Sequence, residues 1–271
     1  ISEISMDEVV RHMVGRSIDE FYPERTTVPS DVVLDVQGLQ PKGFKHDISF
    51  QLRKGEILGV AGLMGAGRTE IMRAIFGVDN HNGGSITVNG KPLKCKKPED
   101  AIKAGIAFIT ENRKSEGLIL DFSIGSNITL PNLGDICPSH VLQKNKLESF
   151  AETLSKKLGV KTQSIHEPAS SLSGGNQQKV VIAKWVGKKP SIIIMDEPTR
   201  GIDIGAKRDI YDLMNELTDD GVSIIMVSSE LPEVLGMSDR VMVIQEGRVA
   251  GILNRDEATP ESIMTLATGG Q

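Results

Sequence analysis

The chain has 271 residues, 39% of them hydrophobic, and a formal net charge of −5. This size allows one large α/β core with an inserted subdomain, and the acidic balance argues against a general attraction to nucleic acid or anionic lipid. Cys95 and Cys137 match no zinc or redox spacing, and the apolar runs are too short to cross a bilayer. Any role at a membrane is therefore expected to need a partner.

The first thirty residues are predicted to lie outside the main domain. Ile1–Gly15 has the apolar spacing of a short amphipathic helix, and Arg16–Ser30 is polar and proline-bearing, as linkers are. A helix fragment followed by a linker indicates that another domain precedes residue 1. A flexible N-terminal arm explains the same composition almost equally well, so both interpretations stay open.

From residue 31 onwards, strand-like and helix-like segments alternate, which predicts βαβ units around a largely parallel sheet. The predicted strands are Val32–Val36, Ile48–Leu52, Ile57–Ala61, Ser85–Val88, Ile106–Ile109, Ile192–Met195, Val222–Val227, Arg240–Gln245 and Arg248–Leu253. The predicted helices are Thr69–Phe76, Pro98–Ala104, Gln177–Trp185, Glu261–Leu266 and one with the stripe Ile210, Leu213, Met214 and Leu217. The pair Asn89-Gly90 predicts a hairpin turn.

Residues 111 to about 186 have a different character, more helical and more polar, with loops around two prolines. Leu147, Ala151, Leu154 and Leu158 fall on one face of a helix. We interpret this stretch as a helical subdomain inserted into the α/β core.

Residues 62–69 fit the phosphate-loop spacing G-x-x-x-x-G-K-[ST] except at one position, where Arg68 replaces lysine. The loop follows an apolar strand and opens a helix, so its backbone N–H groups and the helix N-terminus favour an anion. A glycine-rich turn without a ligand is the alternative. The candidate phosphate-binding residues are Gly62, Gly65, Ala66, Gly67, Arg68, Thr69 and Glu70.

A second glycine-rich segment, residues 172–178, and the acidic end of a strand, residues 192–199, are more specific in combination. In the first, Ser173 and two glycines precede a helix and offer a hydroxyl, amide N–H groups and a positive dipole end to an anion. A capped helix after a turn is the simpler interpretation of that segment alone. In the second, Asp196 is positioned to hold Mg²⁺, and Glu197 to polarise a water molecule.

Together these motifs resemble the nucleotide-binding domain of ABC transporters, from about residue 31 to residue 271, with the helical subdomain at about 111–186. The resemblance implies a P-loop NTPase (RecA-like) α/β core, an antiparallel β subdomain and a helical subdomain, working in head-to-tail pairs that bind ATP and Mg²⁺. It implies that Glu197 acts in catalysis and that Thr69, Asp196 and Glu111 lie at the metal. By the same resemblance, the residues that contact the γ-phosphate held by a partner domain are Ser173, Gly174, Gly175 and Gln177.

Three positions depart from the family pattern. Arg68 replaces the phosphate-loop lysine, Glu111 stands where a glutamine binds Mg²⁺ and senses the transmembrane partner, and Ser229 occupies the place of the switch histidine in catalysis. Phe44 is a candidate for stacking on adenine, or equally a packing residue. A planar guanidinium is no equal replacement for a lysine ammonium, so we expect this site to bind MgATP and to turn it over slowly.

The same variants are similar to the C-terminal half of tandem ATPases of ribose-, galactose- and xylose-type importers. This resemblance implies an ATPase module that energises monosaccharide import, located peripherally at the cytoplasmic face of the bacterial inner membrane. Its implied partners are an N-terminal ATPase half of the same polypeptide, transmembrane permease subunits and, indirectly, a periplasmic sugar-binding protein, with no nucleic acid.

Two other functions remain open on the motifs. A non-transport ABC ATPase of the translation or repair type would need no membrane partner, and the acidic charge and the importer-like variants argue against it. A regulatory module would bind ATP without turnover, and single-turnover hydrolysis would distinguish it from a slow enzyme.

Overall fold

Two β-sheets organise the part of the chain that the structure describes. The computed structural model describes residues 21–138 and 141–270; the predicted helix Ile1–Gly15 lies outside these residues. The strands are β1 Val32–Leu39, β2 Ile48–Arg53, β3 Ile57–Gly62, β4 Ser85–Val88, β5 Lys91–Leu93, β6 Ile106–Ile109, β7 Ile192–Asp196, β8 Ser223–Val227, β9 Arg240–Gln245 and β10 Arg248–Asn254. Each strand predicted from the sequence is present, with bounds shifted by a few residues at most.

The central sheet has six strands in the order β10-β9-β3-β8-β7-β6. The neighbours from β9 to β6 are parallel, and β10 pairs with β9 in an antiparallel hairpin. In β7, Ile192 and Ile194 enter one hydrophobic cluster while Ile193 and Met195 enter another on the opposite face. Both faces of the sheet are therefore buried, which explains why its strands are continuous apolar runs.

The second sheet is antiparallel, in the order β2-β1-β4-β5. Its β4–β5 hairpin turns at Asn89 and Gly90, whose φ angles of 48° and 73° are both in the left-handed region that such a turn requires. The hairpin predicted from the Asn-Gly pair is therefore confirmed. Buried side chains of this sheet, such as Leu34 and Val36, share one cluster with the central sheet.

Helices cover the central sheet. They are α1 Arg68–Phe76, α2 Pro98–Lys103, α3 Ile124–Thr129, α4 Leu133–Ile136, α5 Lys144–Lys157, α6 Gly174–Val186, α7 Ile204–Asp219, α8 Leu231–Met237 and α9 Pro260–Thr268. The stretch between β6 and β7 contains helices and no strand within its described residues, and Ala151, Leu154 and Leu158 are buried there as predicted. None of the helices in the described ranges combines the length and the hydropathy needed to cross a membrane.

One predicted helix start needs correction, and one helix outside residues 111–186 was missed. Helix α6 begins at Gly174 and not at Gln177, because the two glycines continue the helical backbone in its first turn and do not form a preceding turn. Helix α8 was not predicted; Pro232 lies in its first turn, where the missing N–H of proline has no helical partner to lose.

Residues 21–30, predicted as linker, lie against the core. The Arg25 guanidinium pairs with Asp239 at 2.7 Å, and their side chains are only 5% and 13% exposed. It also donates to Asn215 Oδ1 at 2.9 Å, to Thr218 Oγ1 at 2.7 Å and to the Gly55 carbonyl at 3.0 Å. All of the donors of this buried guanidinium thus have acceptors, and the segment is anchored to α7 and to the loops beside β3 and β9.

Candidate functional site

The loop between β3 and α1 has the backbone of a phosphate cradle. Gly62, Gly65 and Gly67 have φ angles of 156°, 78° and 99°. A Cβ on Gly62 would lie 2.4 Å from the Ile244 carbonyl oxygen, and one on Gly67 would lie 2.6 Å from the Phe44 ring. The glycines therefore meet both a conformational and a steric requirement at this turn.

The N-terminus of α1 is open to an anion. Its N-cap is Gly67, and no side chain caps the first turn, so the free amide N–H groups of that turn keep their hydrogen-bonding capacity. Uncapped amides and the helix dipole together favour a phosphate at this place. The half-buried Phe44 ring packs against Gly67 and Gly247 at the same end of the loop. Of the two roles considered for Phe44, stacking on adenine and packing, this contact fits packing.

Asp196 and Thr69 form a polar pair beside the loop. The Thr69 hydroxyl donates to Asp196 Oδ2 at 2.7 Å, while Asp196 Oδ1 is buried without a hydrogen-bond partner. Burial raises the pKa of Asp196 to about 6, against the lowering effect of the Thr69 hydrogen bond. A buried carboxylate oxygen without a partner next to a hydroxyl suits Mg²⁺, which usually takes one or two protein oxygens and completes its shell with water and phosphate oxygens.

Arg68, Glu197 and Ser229 form a second cluster, on the side of the loop that faces β8. One Arg68 nitrogen donates to the Ser228 carbonyl at 2.8 Å, and another lies 3.8 Å from Glu197 Oε1. The Ser229 hydroxyl donates to Glu197 Oε2 at 3.1 Å. The Glu197 carboxylate is therefore held from two sides, and the Arg68 guanidinium points to it and to the Ser228 carbonyl.

Glu197 itself has an uncommon backbone conformation. Its φ of 49° lies in the left-handed region, and its N–H donates to the Val227 carbonyl at 2.8 Å. A non-glycine residue in this region stores strain, which is common at functional sites. The hydrogen bond to the end of β8 holds the Glu197 backbone at the edge where the parallel strands end.

A cleft of about 700 Å³ joins these groups. The predicted residues that line it are Gly62, Gly65, Ala66, Gly67, Arg68, Thr69, Glu70, Glu111, Glu197 and Ser229. One wall was missed by the sequence reasoning: Leu231 from α8, and Ile263, Met264 and Ala267 from α9. No local motif marks Ile263, Met264 and Ala267, because only the tertiary packing of α9 brings them to the loop.

Glu111 lies at the rim of the cleft, where it forms an ion pair with Arg200. Neighbouring Arg113 donates to the carbonyls of Arg200 and Gly201 at 2.6 and 2.9 Å. Glu111, predicted at the metal, thus contacts a cationic side chain on the loop after β7. This pair could not be predicted from the sequence, because the two residues belong to separate segments.

The start of α6 lies apart from the cleft. Ser173 occupies its N-cap position without capping the helix, since its hydroxyl accepts from Asn176 Nδ2 at 3.0 Å. A Cβ on Gly174 would come within 2.8 Å of the Arg113 guanidinium, and one on Gly175 within 2.5 Å of the Ala206 side chain. Small residues are therefore needed here, and the first-turn amides stay open to an anion as they do in α1.

Gln177 is enclosed within the fold. It is buried, and its side-chain amide donates to the carbonyls of Ala169 and Leu172 at 3.3 and 3.2 Å. Because α6 already begins at Gly174, position 177 falls on the helix face that packs inward. This side chain supports the turn before α6.

Comparison with known proteins agrees with this geometry. The model of the family described as ABC transporter matches residues 45–200, which is more than half of the chain. The chain belongs to the ABC transporter family. Among solved structures, the ATP-binding cassette MJ1267 of an ABC transporter superposes with a TM-score of 0.75 at 19% identity, covering 88% of this chain and 99% of that one. The fold is that of an ABC cassette, with a P-loop NTPase core, as expected from the sequence.

Relatives with much higher sequence identity are ribose import ATP-binding proteins RbsA. The protein from Oceanobacillus iheyensis is 60% identical over 270 residues, and that from Bacillus licheniformis is 58% identical over 271. Each match covers 100% of this chain but 54% and 55% of the relative. The chain thus spans about half the length of these ABC proteins.

Proposed function

We propose that this chain binds ATP with Mg²⁺ in the cleft at the start of α1 and serves as one ATP-binding half of a monosaccharide importer, with ribose as the favoured sugar. The observation that carries the proposal is the convergence of three features at one loop. Gly67 leaves the α1 amides uncapped, the buried Asp196 oxygen lies beside the Thr69 hydroxyl, and Glu197 is fixed at the same edge. Identity to the RbsA proteins supports the choice of sugar.

In this mechanism the loop amides hold the phosphates of ATP, and the Thr69 hydroxyl and the Asp196 carboxylate hold Mg²⁺. When bound there, Mg²⁺ neutralises phosphate charge that develops during transfer. Glu197 accepts a hydrogen bond from the attacking water and takes its proton as the water oxygen bonds to the terminal phosphorus of ATP. The bond from that phosphorus to the bridging oxygen breaks in the same step, and ADP leaves. The open cleft provides the space that this water and the nucleotide need.

We propose further that turnover at this cleft is slow. The Glu197 carboxylate already receives the Ser229 hydroxyl and lies near the Arg68 guanidinium, so these contacts must be exchanged before it can orient water. Both partners stand at positions where the sequence departs from the family pattern. Each tenfold loss of rate corresponds to about 1.4 kcal/mol of lost transition-state stabilisation.

The start of α6 is proposed to act on a different ATP molecule. Ser173 and Gly174 lie outside the cleft, with first-turn amides that no side chain caps. They would therefore complete the site of a second nucleotide-binding half, in agreement with the roughly half-length match to the RbsA proteins. In an intact importer, Ser173→Arg should abolish turnover at that second site while leaving ATP binding to this cleft unchanged.

A permease is the proposed membrane partner. Ile119, Phe122 and Leu130 are 42%, 48% and 47% exposed, and they follow the segment that carries Glu111. The side chain of Asn127 holds this loop together by donating to the carbonyls of Ile119 and Phe122. Exposed apolar side chains on an ordered loop suit a protein interface. With such a partner, the proposed location is peripheral, at the cytoplasmic face of the inner membrane, and a periplasmic sugar-binding protein would act only indirectly.

The proposal is tested by measuring the affinity of the chain for a fluorescent ATP analogue and its displacement by ATP, AMP and ribose. We expect ATP to displace the analogue and ribose to have no effect. Thr69→Val removes the hydroxyl near Asp196 and should weaken binding in the presence of Mg²⁺, whereas Thr153→Val, on the exposed face of α5, should not. Displacement by ribose, or equal affinities for both variants, would contradict the proposal.

Single-turnover hydrolysis separates a slow enzyme from a regulatory module. With the chain in excess over labelled ATP, a slow enzyme converts the bound nucleotide to ADP over time, and Glu197→Gln stops this conversion. A module without turnover would bind ATP and leave it intact in both the parent and the variant.

A further inference from the structure

Glu233 is a carboxylic acid enclosed beneath the candidate cleft. It lies in α8 and is 1% exposed. Burial raises the pKa of Glu233, while hydrogen bonds from the Ser228 and Thr199 hydroxyls act in the opposite direction. Burying a carboxyl group costs free energy. A carboxyl group at this buried position therefore indicates a role that an apolar side chain could not perform.

The first contact reaches the turn that carries Glu197. The Thr199 hydroxyl donates to Glu233 Oε1 at 2.7 Å, and both side chains are buried. Thr199 lies inside a turn closed by the Arg200 N–H, which donates to the Glu197 carbonyl at 3.2 Å. A hydrogen bond to Thr199 therefore restrains the turn in which the Glu197 backbone is held in its left-handed conformation.

The second connection of Glu233 runs along α8 to Ser229. Helix α8 begins at Leu231, and Glu230 at its N-cap position follows Ser229 directly. The Glu230 N–H donates to the Ser228 hydroxyl at 3.0 Å and so ties the start of α8 to the end of β8. Glu233 thus joins the segment after β7 to the segment after β8. These two segments carry Glu197 and Ser229, which hydrogen-bond across the cleft.

An aromatic layer closes the far side of the Glu233 pocket. The rings of Tyr22 and Tyr211 lie 5.2 Å apart, and burial together with the nearby Glu233 carboxylate raises the pKa of both phenols. Tyr22 covers Gly236 of α8, where an added Cβ would come within 2.3 Å of its ring. Water is therefore excluded from the Glu233–Thr199 hydrogen bond, which strengthens it.

We propose that Glu233 is a positioning residue of the nucleotide cleft, whose hydrogen bond with Thr199 keeps Glu197 and Ser229 in their relative places. This inference rests on the proposed function for its effect on ATP turnover. The structural part of it concerns the ligand-free chain and can be tested separately.

Hydrogen exchange of the ligand-free chain tests the structural part. In Glu233→Leu we expect amide exchange to become about tenfold faster in both segments 197–203 and 228–231, as for the loss of one buried hydrogen bond. Glu233→Gln keeps an acceptor for Thr199 and should stay within about twofold of the parent. Thr199→Val removes the other partner and should reproduce the effect of Glu233→Leu in both segments.

Kinetics test the functional part. Single-turnover hydrolysis in Glu233→Leu should fall about tenfold with an unchanged dissociation constant for ATP, because the backbone turn that places Glu197 beside the intact phosphate loop is loosened. Release of only the Glu197 side chain from Arg68 and Ser229, which turnover requires, leaves this backbone turn in place. Glu233→Gln should keep most of the single-turnover rate of the parent. Combining Glu233→Leu with Thr199→Val should lower the rate no further, since the two changes remove the same hydrogen bond. Glu216→Leu, an exposed glutamate on α7, is the matched control and should behave as the parent.

The outcomes separate the two proposals. Faster exchange confined to α8, or spread evenly over the central sheet, would overturn the positioning role of Glu233 whatever the nucleotide results are. So would a Gln variant as impaired as the Leu variant. If the parent bound no ATP, the proposed function would fail, while the exchange pattern would still decide for or against the positioning of the two segments by Glu233.

Discussion

Replacing Arg68 by lysine changes the proposed slow site most directly. The Arg68 guanidinium donates to the Ser228 carbonyl at 2.8 Å and lies 3.8 Å from Glu197 Oε1, with 12% and 11% of the Arg68 and Glu197 side chains exposed. The Arg68 and Glu197 charges are farther apart than in a tight ion pair. Because both side chains are mostly buried, however, solvent screens their attraction less than that of a surface pair. We assign this restraint about 1–2 kcal/mol, between the values for exposed and buried pairs.

A restraint of this size leaves Glu197 released in about 3–15% of molecules. A lysine ammonium cannot contact the Ser228 carbonyl and the Glu197 carboxylate at once, as the forked guanidinium of Arg68 does. As a compact charge, it also fits among phosphate oxygens. We therefore expect Arg68→Lys to raise the single-turnover rate about 5- to 30-fold. The affinity for ATP should change little, because the loop amides that hold the phosphates are unaltered.

The assay uses the chain in excess over labelled ATP and follows the formation of ADP. Arg68→Met is the control, because it removes the contact with Glu197 without supplying a cation to the phosphates, and it should bind ATP more weakly than Arg68→Lys does. The reasoning is refuted if Arg68→Lys folds like the parent and binds ATP but hydrolyses it within about twofold of the parental rate.

Two further predictions concern stability. Arg25→Leu leaves the buried Asp239 carboxylate without its cation and should lower the free energy of unfolding by about 3–5 kcal/mol. Arg73→Leu is the control: it breaks a half-exposed pair with Asp79 and should lower the free energy of unfolding by less than about 1 kcal/mol. Equal urea midpoints for the two variants would contradict the docking of residues 21–30. Burial lowers the pKa of Lys184 to about 8, so the unfolded chain binds this proton more tightly than the folded chain. The Lys184 contribution should therefore make the protein more stable by about 1–2 kcal/mol as the pH rises from 7.5 to 9.5, and Lys184→Met should remove that part of the pH dependence in urea unfolding.

The parallel strands of the central sheet could be predicted because each is an apolar run buried on both faces, as Ile192–Asp196 is. The phosphate loop could be predicted for a related reason, since glycine spacing is a local signal that does not depend on distant packing. The start of α6 was misplaced because Gly174 and Gly175 are poor helix formers in isolation. In the fold their lack of side chains allows close contact with Arg113 and Ala206.

The contacts of the charged side chains could not be predicted. Arg25 lies in a polar, proline-bearing stretch, and only the positions of Asp239 and Asn215, far away in the sequence, make it a buried anchor. The direction of Arg68 depends in the same way on the Ser228 carbonyl, 160 residues further along the chain. Local pattern identified Arg68 and Glu197 as site residues, while tertiary packing determines that they contact each other.

The central claim, that the cleft at the start of α1 is a site for ATP with Mg²⁺, is tested most directly by the affinity for ATP with and without Mg²⁺ in the parent and in Asp196→Asn. Asp196 Oδ1 is the buried oxygen without a partner, and the amide in the variant keeps the volume of the side chain but not its charge. We predict that Mg²⁺ tightens ATP binding by the parent and has little effect on the variant. Absence of ATP binding by the parent at millimolar concentration, or an equal effect of Mg²⁺ on both proteins, would contradict the claim.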